Sequence, residues 1–278
     1  MESEKDTLQP FPSYTPKQEG WEDWYNEILP QAYQCAGYAL QQWEKTRSPF
    51  KWIRETSLLK PTFQHLSFGY NNNIFSVLVE VVEKGKASYL RQTDLRNLLR
   101  MSRENNLVPC IIPIDFDSPH DPLVGGCHLI HAATRLPLDI DAFPTIDKIE
   151  MSPWEVQHMG MSIMKHLLEK EGKKVVRFVD MPDAIPQLWF EYDNKSSYVV
   201  VETIAYGDHA KKGYFGECWM GLEEEGYYAK IELIPIDKND GRKLWRGHGF
   251  HANFEGLVNI KDLPHKRNTS YHVHRFSD

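Results

Sequence analysis

Two stretches decide the fold: residues 66–85, LSFGYNNNIFSVLVEVVEKG, and residues 188–207, LWFEYDNKSSYVVVETIAYG. They align without a gap at an offset of 122. Leu66, Phe68, Tyr70, Asn72, Val77, Val79, Glu80 and Gly85 fall on Leu188, Phe190, Tyr192, Asn194, Val199, Val201, Glu202 and Gly207, which is eight identities in 20 positions. In both, apolar residues alternate with smaller or polar ones, then a turn follows, then a longer apolar run. That is the pattern of a strand, a tight turn and a second strand. Asn71-Asn72-Asn73 and Asp193-Asn194-Lys195 supply the turn chemistry.

The similarity continues outward in the same order. Ile112-Pro113-Ile114-Asp115 falls on Ile234-Pro235-Ile236-Asp237 at the same offset. His128-x-x-His131-Ala132 falls on His248-x-x-His251-Ala252 at an offset of 120. The period is far longer than the roughly 20–50 residues of a solenoid, so each copy is a small domain. Helices precede and follow the hairpins. Residues 24–44 repeat apolar positions at helical spacing, with Pro30 marking where the regular helix starts. Ser152, Pro153 and Glu155 read as N-cap, first helical residue and capping box of a helix over 153–171 ending at Gly172. Leu95, Leu98, Leu99 and Met101 line a helix over 92–105, whereas the matching stretch 211–226 holds four glycines and reads as a poorer helix. The prolines of the Ile-Pro-Ile-Asp strings cannot donate to a ladder and so predict an edge or a bulge.

The expected fold is α+β: an internal duplication of a helix–hairpin–helix–strands unit, with mostly antiparallel sheet and the copies packed as a pseudo-dimer. Residues 1–20 are expected to be a flexible arm, 21–140 the first copy, 141–151 a linker, 152–262 the second copy and 263–278 a weakly structured tail.

Composition excludes several classes. The 278 residues include 8 Trp, 13 Tyr and 13 Phe, too many for a disordered chain. The longest apolar runs, 75–82 and 107–114, are far short of the ~20 residues of a membrane span. No apolar segment follows Met1 as a secretory signal would. Cys35, Cys110, Cys127 and Cys218 show no CxxC spacing, so reduced thiols and a cytoplasmic location are expected. With 32 Lys+Arg against 39 Asp+Glu the net charge is -7, which opposes nucleic-acid binding and suits a basic protein partner. The basic residues Lys211, Lys212, Lys261, Lys266, Arg267 and Arg275 read as solvated surface. Aromatics crowd the first helix at Trp21, Trp24, Tyr25, Tyr33, Tyr38 and Trp43, as at an interface.

Three groups of residues have chemistry to weigh. Glu80 and Glu202 interrupt apolar strands at matching places. Each is either a metal ligand or general base, with Asp115 and Asp237 as partners, or a residue pointing to solvent from an alternating strand. His128, His131, His248 and His251 form two His-x-x-His pairs. They would ligate a metal such as Zn, Mg or Mn if helical, whereas in a strand their rings point to opposite faces. Cys127 beside His128 does not read as a catalytic dyad. No phosphate-binding glycine loop is present, so no nucleotide cofactor is expected.

The order of helix, acid-bearing hairpin, helix and strand is similar to the core order of PD-(D/E)xK nucleases, which hold a divalent metal with an Asp on one strand and an acid-x-Lys on the next. Here Pro182-Asp183 and Glu202-x-Ile204 occupy the second copy's positions. Pro61-Thr62 and Glu80-x-Val82 occupy the first copy's, so the lysine is Ile204 and Val82. The resemblance implies inactive copies. The expectation is therefore a cytoplasmic, non-enzymatic protein-binding module, accessory, regulatory or toxin-neutralising (immunity-like), with self-association open. The alternative is a metal-dependent hydrolase, a nuclease with a degenerate site.

Overall fold

The computed structural model describes residues 22–47, 50–54, 65–83, 87–115, 117, 129–179, 185–206, 224–237, 241 and 243–263. The expected arm, most of the tail, the glycine-rich stretch 207–223, Pro61-Thr62, Pro182-Asp183, Cys127, His128 and Cys218 lie outside them. Among the described residues, three helices and two sheets of mixed but mostly antiparallel pairing make an α+β fold without a closed barrel.

The first unit runs α1 (Glu22–Thr46), β1 (Phe50–Arg54), β2 (Leu66–Tyr70), β3 (Asn73–Glu83), β4 (Ala87–Tyr89), α2 (Gln92–Asn105), β5 (Val108–Asp115), β6 (Leu129–His131) and β7 (Pro137–Leu138). Its strand order is β1-β2-β3-β5-β6-β7, with β4 also on β3. The second unit runs α3 (Pro153–Lys170), β8 (Lys174–Phe178), β9 (Leu188–Tyr192), β10 (Lys195–Ala205), β11 (Glu225–Pro235) and β12 (Phe250–Asn259), in the order β12-β11-β10-β9-β8.

The two sheets agree in detail. Both chain two antiparallel pairs to one parallel pair and then one antiparallel pair: β1–β2, β2–β3, β3–β5 and β5–β6 against β8–β9, β9–β10, β10–β11 and β11–β12. Both hairpins turn through two left-handed residues, Asn71 and Asn72 at φ 51° and 61°, and Asp193 and Asn194 at φ 49° and 58°. This is the two-residue turn whose twist matches the flanking strands, and Asn and Asp tolerate it best after Gly. Both first strands break register at the same rung, between Trp52 and Arg54 opposite Phe68, and between Val175 and Arg177 opposite Phe190. The Ile-Pro-Ile-Asp strings do not share this equivalence. Val79 pairs with Ile112, but Val201 pairs with Ala229, so the second string sits five residues further along its strand. Each proline nonetheless lies where one neighbouring ladder has ended: β6 reaches only Cys110 and Ile111, and β10 stops at Leu233.

Among the described residues, three apolar layers lie between a helix and a sheet, and a smaller cluster of Tyr198 and Val200 with Trp189, Tyr228 and Ile260 covers the other face of the second sheet. One face of the first sheet packs Phe68, Phe75, Val77, Val79 and Val81 against Ala32, Tyr33, Ala36 and Leu40 of α1, with the Phe68 and Phe75 rings stacked at 5.1 Å. Each such large side chain removed from water contributes about 1.5–3 kcal/mol. The other face packs Ile74, Leu78 and Ile111 against Leu98 and Met101 of α2. In the second unit Val199, Val201, Ala229 and Ile231 pack against Met161, Met164 and Leu168 of α3. Helix α3 carries the full capping box at Ser152 and Glu155 and is followed by Gly172 at φ 80°. Helix α1 runs through Pro30, giving up one backbone bond rather than starting there. Of its aromatics, Tyr33 is buried, Trp43 packs on the core and Tyr38 is 67% exposed. The side chains of Trp24 and Tyr25, and Trp21 altogether, lie outside the described residues.

The segment 141–151 is an ordered strap. The asparagine turn holds it through three side-chain amides: Asn71 to the Phe143 carbonyl at 3.2 Å, Asn72 to Ile146 at 2.8 Å and Asn73 to Pro144 at 3.1 Å. At its far end Met151 N–H donates to the Leu244 carbonyl and Arg246 N–H to that of Ile149. No described helix is long and apolar enough to cross a membrane.

Candidate functional site

Glu80 is not at the surface. It sits mid-strand on the α2 side of β3, between Leu78 and Val82, and is 3% exposed. The solvent-facing reading therefore fails here, because α2 covers the face that strand alternation would have left open. A buried carboxylate needs a partner. It has Arg135, whose Nη2 donates to Glu80 Oε2 at 2.7 Å. Arg135 follows β6 in a left-handed conformation, φ 60°. That turn is held from below: His131 Nδ1 accepts the Ala133 and Thr134 N–H groups at 3.3 Å, and Arg135 N–H donates to the His131 carbonyl at 2.8 Å. Burial pushes the His131 imidazole below its usual range, towards the neutral form that such an acceptor role needs.

Glu202, the matching residue of β10, is half-buried and accepts a hydrogen bond from the Tyr228 hydroxyl. Burial, and then the Glu202 carboxylate, push the Tyr228 phenol above its ordinary range. Lys230 stands opposite Glu202 in register.

The acidic partners divide. Asp115 pairs with Val82, two residues beyond Glu80, so both carboxylates lie on one face of the first sheet, about 7 Å apart along the strands. Asp115 Oδ1 accepts the Asp117 N–H at 3.0 Å, which closes a turn. Asp237 lies seven residues past Lys230, beyond the end of β11, about 23 Å of extended chain from the rung of Glu202. The histidines divide too. His131 ends β6, His251 is exposed in β12 opposite Ile234, and His248 is exposed in the loop before it. Among the described residues, no three His, Cys, Asp or Glu side chains cluster as metal ligands would.

His248 and Asp237 do meet elsewhere. Both line a cleft of about 160 Å³ at the end of the second sheet, together with Ile236, Lys243, Leu244 and Trp245. The Trp245 ring has Lys148 Nζ at 5.7 Å and Lys243 Nζ at 5.6 Å from its centroid. Lys243 pairs with Glu150 at 2.5 Å.

Behind this cleft is the junction of the two units. Arg246, 5% exposed, donates to both Glu155 oxygens at 2.7 and 2.8 Å. It also reaches the Asn105 and Asn106 carbonyls at 3.0 and 3.1 Å, where α2 ends and its last carbonyls lack helical partners. Trp154 of α3 packs into the α2-side core of the first sheet, and His158 Nε2 bonds the Ile53 carbonyl at 2.8 Å. The second unit enters this junction with α3, and the first with the α2 side of its sheet and β1.

Sequence reasoning named the carboxylates but missed Arg135, Arg246 and the strap-holding role of the asparagines. A single arginine in a loop carries no local signal of its buried partner. Glu155 was visible only as a helix cap, although its carboxylate serves the cap and Arg246 together.

A family model described as a domain of unknown function, DUF8840, matches residues 154–260, the span from Trp154 to one residue past the end of β12. No curated protein and no solved structure matches the chain.

Proposed function

We propose that the chain is a non-enzymatic, cytoplasmic protein-binding module made of two diverged copies of one α+β unit, in an accessory, regulatory or toxin-neutralising (immunity-like) role. The observation that carries this reading is the Glu80–Arg135 ion pair: the first copy's central carboxylate is spent inside the fold, 2.7 Å from a guanidinium. Glu202 is likewise engaged by Tyr228, and Val82 and Ile204 stand where a PD-(D/E)xK site has its lysine. The duplication is supported by the shared strand order, the matching hairpin turns and the register break at the same rung. The charge of -7 favours a basic partner by electrostatic steering. The test is isolation of a stoichiometric complex from the native cell, with association rates measured against salt. A partner whose association slows steeply as salt rises supports the reading. A complex indifferent to salt removes the basic-partner part of it.

A second reading, a metal-dependent hydrolase, draws on one observation: Glu80 and Asp115 share a sheet face two rungs apart. Stoichiometric binding of Mg²⁺, Mn²⁺ or Zn²⁺ that is lost in Asp115→Asn would favour it.

A further inference from the structure

Helix α2 carries its arginines on the face turned away from the protein. Its buried residues are Asp94, Leu98, Met101, Ser102 and Asn105. At 3.6 residues per turn, Arg96, Arg100 and Arg103 fall within about 60° of one another on the opposite side, and all three are exposed. Their positions along the axis differ by about 6 and 4.5 Å. Of the two acids of the helix, Asp94 is turned inward, and Glu104 stands about 70° round from the middle of the stripe. Among the described residues, none of the three arginines has a hydrogen-bond or ion-pair partner. The other described arginine side chains are all engaged: Arg47 with Asp141, Arg91 with Asp94, Arg135 with Glu80, Arg246 with Glu155, and Arg177 over the Trp189 ring. Like charges three and four residues apart repel along a helix, so the stripe works against α2. A cation in the last turn suits the helix dipole, which accounts for Arg103 alone. Nor does the repeated unit need the stripe: residues 206–224, which join the corresponding parallel strands β10 and β11, contain no arginine.

We propose that the outer face of α2 docks an acidic helix of a partner protein, each of three carboxylates meeting one guanidinium. An antiparallel helix with Glu or Asp at i, i+3 and i+7 repeats the rises of about 4.5 and 6 Å. Arginine suits this pairing because its planar fork matches a carboxylate bidentately. Nucleic acid fits less well. A duplex carries one charge per about 1.7 Å of axis, so three arginines leave most phosphates facing a chain of net charge -7. Gln92, Thr93, Asn97 and Glu104, which flank the stripe, offer no aromatic ring on which a base would stack. This surface is separate from the basic partner inferred from the overall charge, and either can fail without the other.

The experiment is fluorescence anisotropy of a labelled, alanine-rich helical peptide with Glu at i, i+3 and i+7, titrated with the full chain at low ionic strength. A matched peptide with Gln at those positions and a polyuridine oligonucleotide are the comparisons. The Glu peptide is expected to bind saturably, at least about tenfold tighter than either, and to weaken as salt rises. Arg96→Gln/Arg100→Gln/Arg103→Gln is expected to weaken it at least about tenfold, as the loss of three exposed ion pairs would. That variant should melt at or above the wild-type temperature, because like-charge repulsion has been removed from α2. Lys165→Gln/Lys174→Gln, which neutralises exposed cations of the second unit, should leave binding unchanged. Arg100→Glu should weaken the Glu peptide, and a peptide with Lys at i+3 should recover binding to that variant. Four results would each overturn the proposal: no saturable binding of the Glu peptide, the Gln peptide or the RNA binding as tightly, a loss in the α2 triple variant no greater than in the lysine variant, or no recovery with the Lys peptide.

Discussion

Replacing Arg246 with methionine tests the junction of the two units at its most constrained point. The guanidinium is 5% exposed and makes four short bonds: two to Glu155 at 2.7 and 2.8 Å, and one each to the Asn105 and Asn106 carbonyls at 3.0 and 3.1 Å. Methionine fills much of the same volume but leaves Glu155, itself 5% exposed, without its countercharge. Among the described residues Glu155 then keeps the Ser152 N–H, at 2.9 Å. Breaking one side of a buried ion pair costs about 3–5 kcal/mol, against a total stability of about 5–15 kcal/mol. With a urea slope of about 2–3 kcal/mol per M, the midpoint should fall by roughly 1–2 M. The assay is urea denaturation followed by tryptophan fluorescence and by far-ultraviolet circular dichroism. The cycle is closed with Glu155→Met and the double variant. If the pair acts as a unit, the double variant loses less than the sum of the singles, by an interaction of about 0.5–3 kcal/mol. A drop below about 1 kcal/mol for Arg246→Met, or strict additivity, would refute the claim that this pair joins the units.

Further outcomes follow from other contacts. Arg135→Met strands the buried Glu80 carboxylate and should cost about 3–5 kcal/mol by the same denaturation assay; Arg135→Met with Glu80→Met should recover part of it, and no recovery would sever the two. Gly247→Ala sets a Cβ 2.7 Å from Asn72 Oδ1 at φ 77°, so a loss of about 1–3 kcal/mol is expected, and a neutral result would mean that the strap turn is not held there. His131 supplies a pH dependence. Its folded pKa is depressed by burial, so its contribution is full above the unfolded value of about 6.5 and is lost as pH falls through the folded one. Midpoints measured from pH 8 to 5 should decline in the wild type, and the decline should be shallower in His131→Gln. Parallel curves would remove His131 as the cause.

What could be read in the sequence was whatever is local or repeated. The hairpins at 66–85 and 188–207 stand where alternation and turn chemistry put them, and the α3 start follows from Ser152, Pro153 and Glu155. Repetition misled at Ile234-Pro235-Ile236-Asp237, because identical residues recur five rungs out of register. Register depends on the partner strand, which a string match does not contain. The exposure of Glu80 was illegible for a related reason. Alternation shows that a strand has two faces, but only the packing of α2 shows that both are covered. Arg135 and Arg246 bond to residues 55 and 91 positions away, and such pairings arise only once the sheets are assembled.

Phosphodiester turnover bears most directly on the claim that the central carboxylates are structural. Wild type and the Glu80→Gln/Glu202→Gln double variant should be compared on DNA and RNA with Mg²⁺, Mn²⁺ and Zn²⁺, each confirmed folded by circular dichroism. Indistinguishable background rates are expected. Cleavage by the wild type that disappears in a folded double variant would contradict the account and establish the chain as a hydrolase.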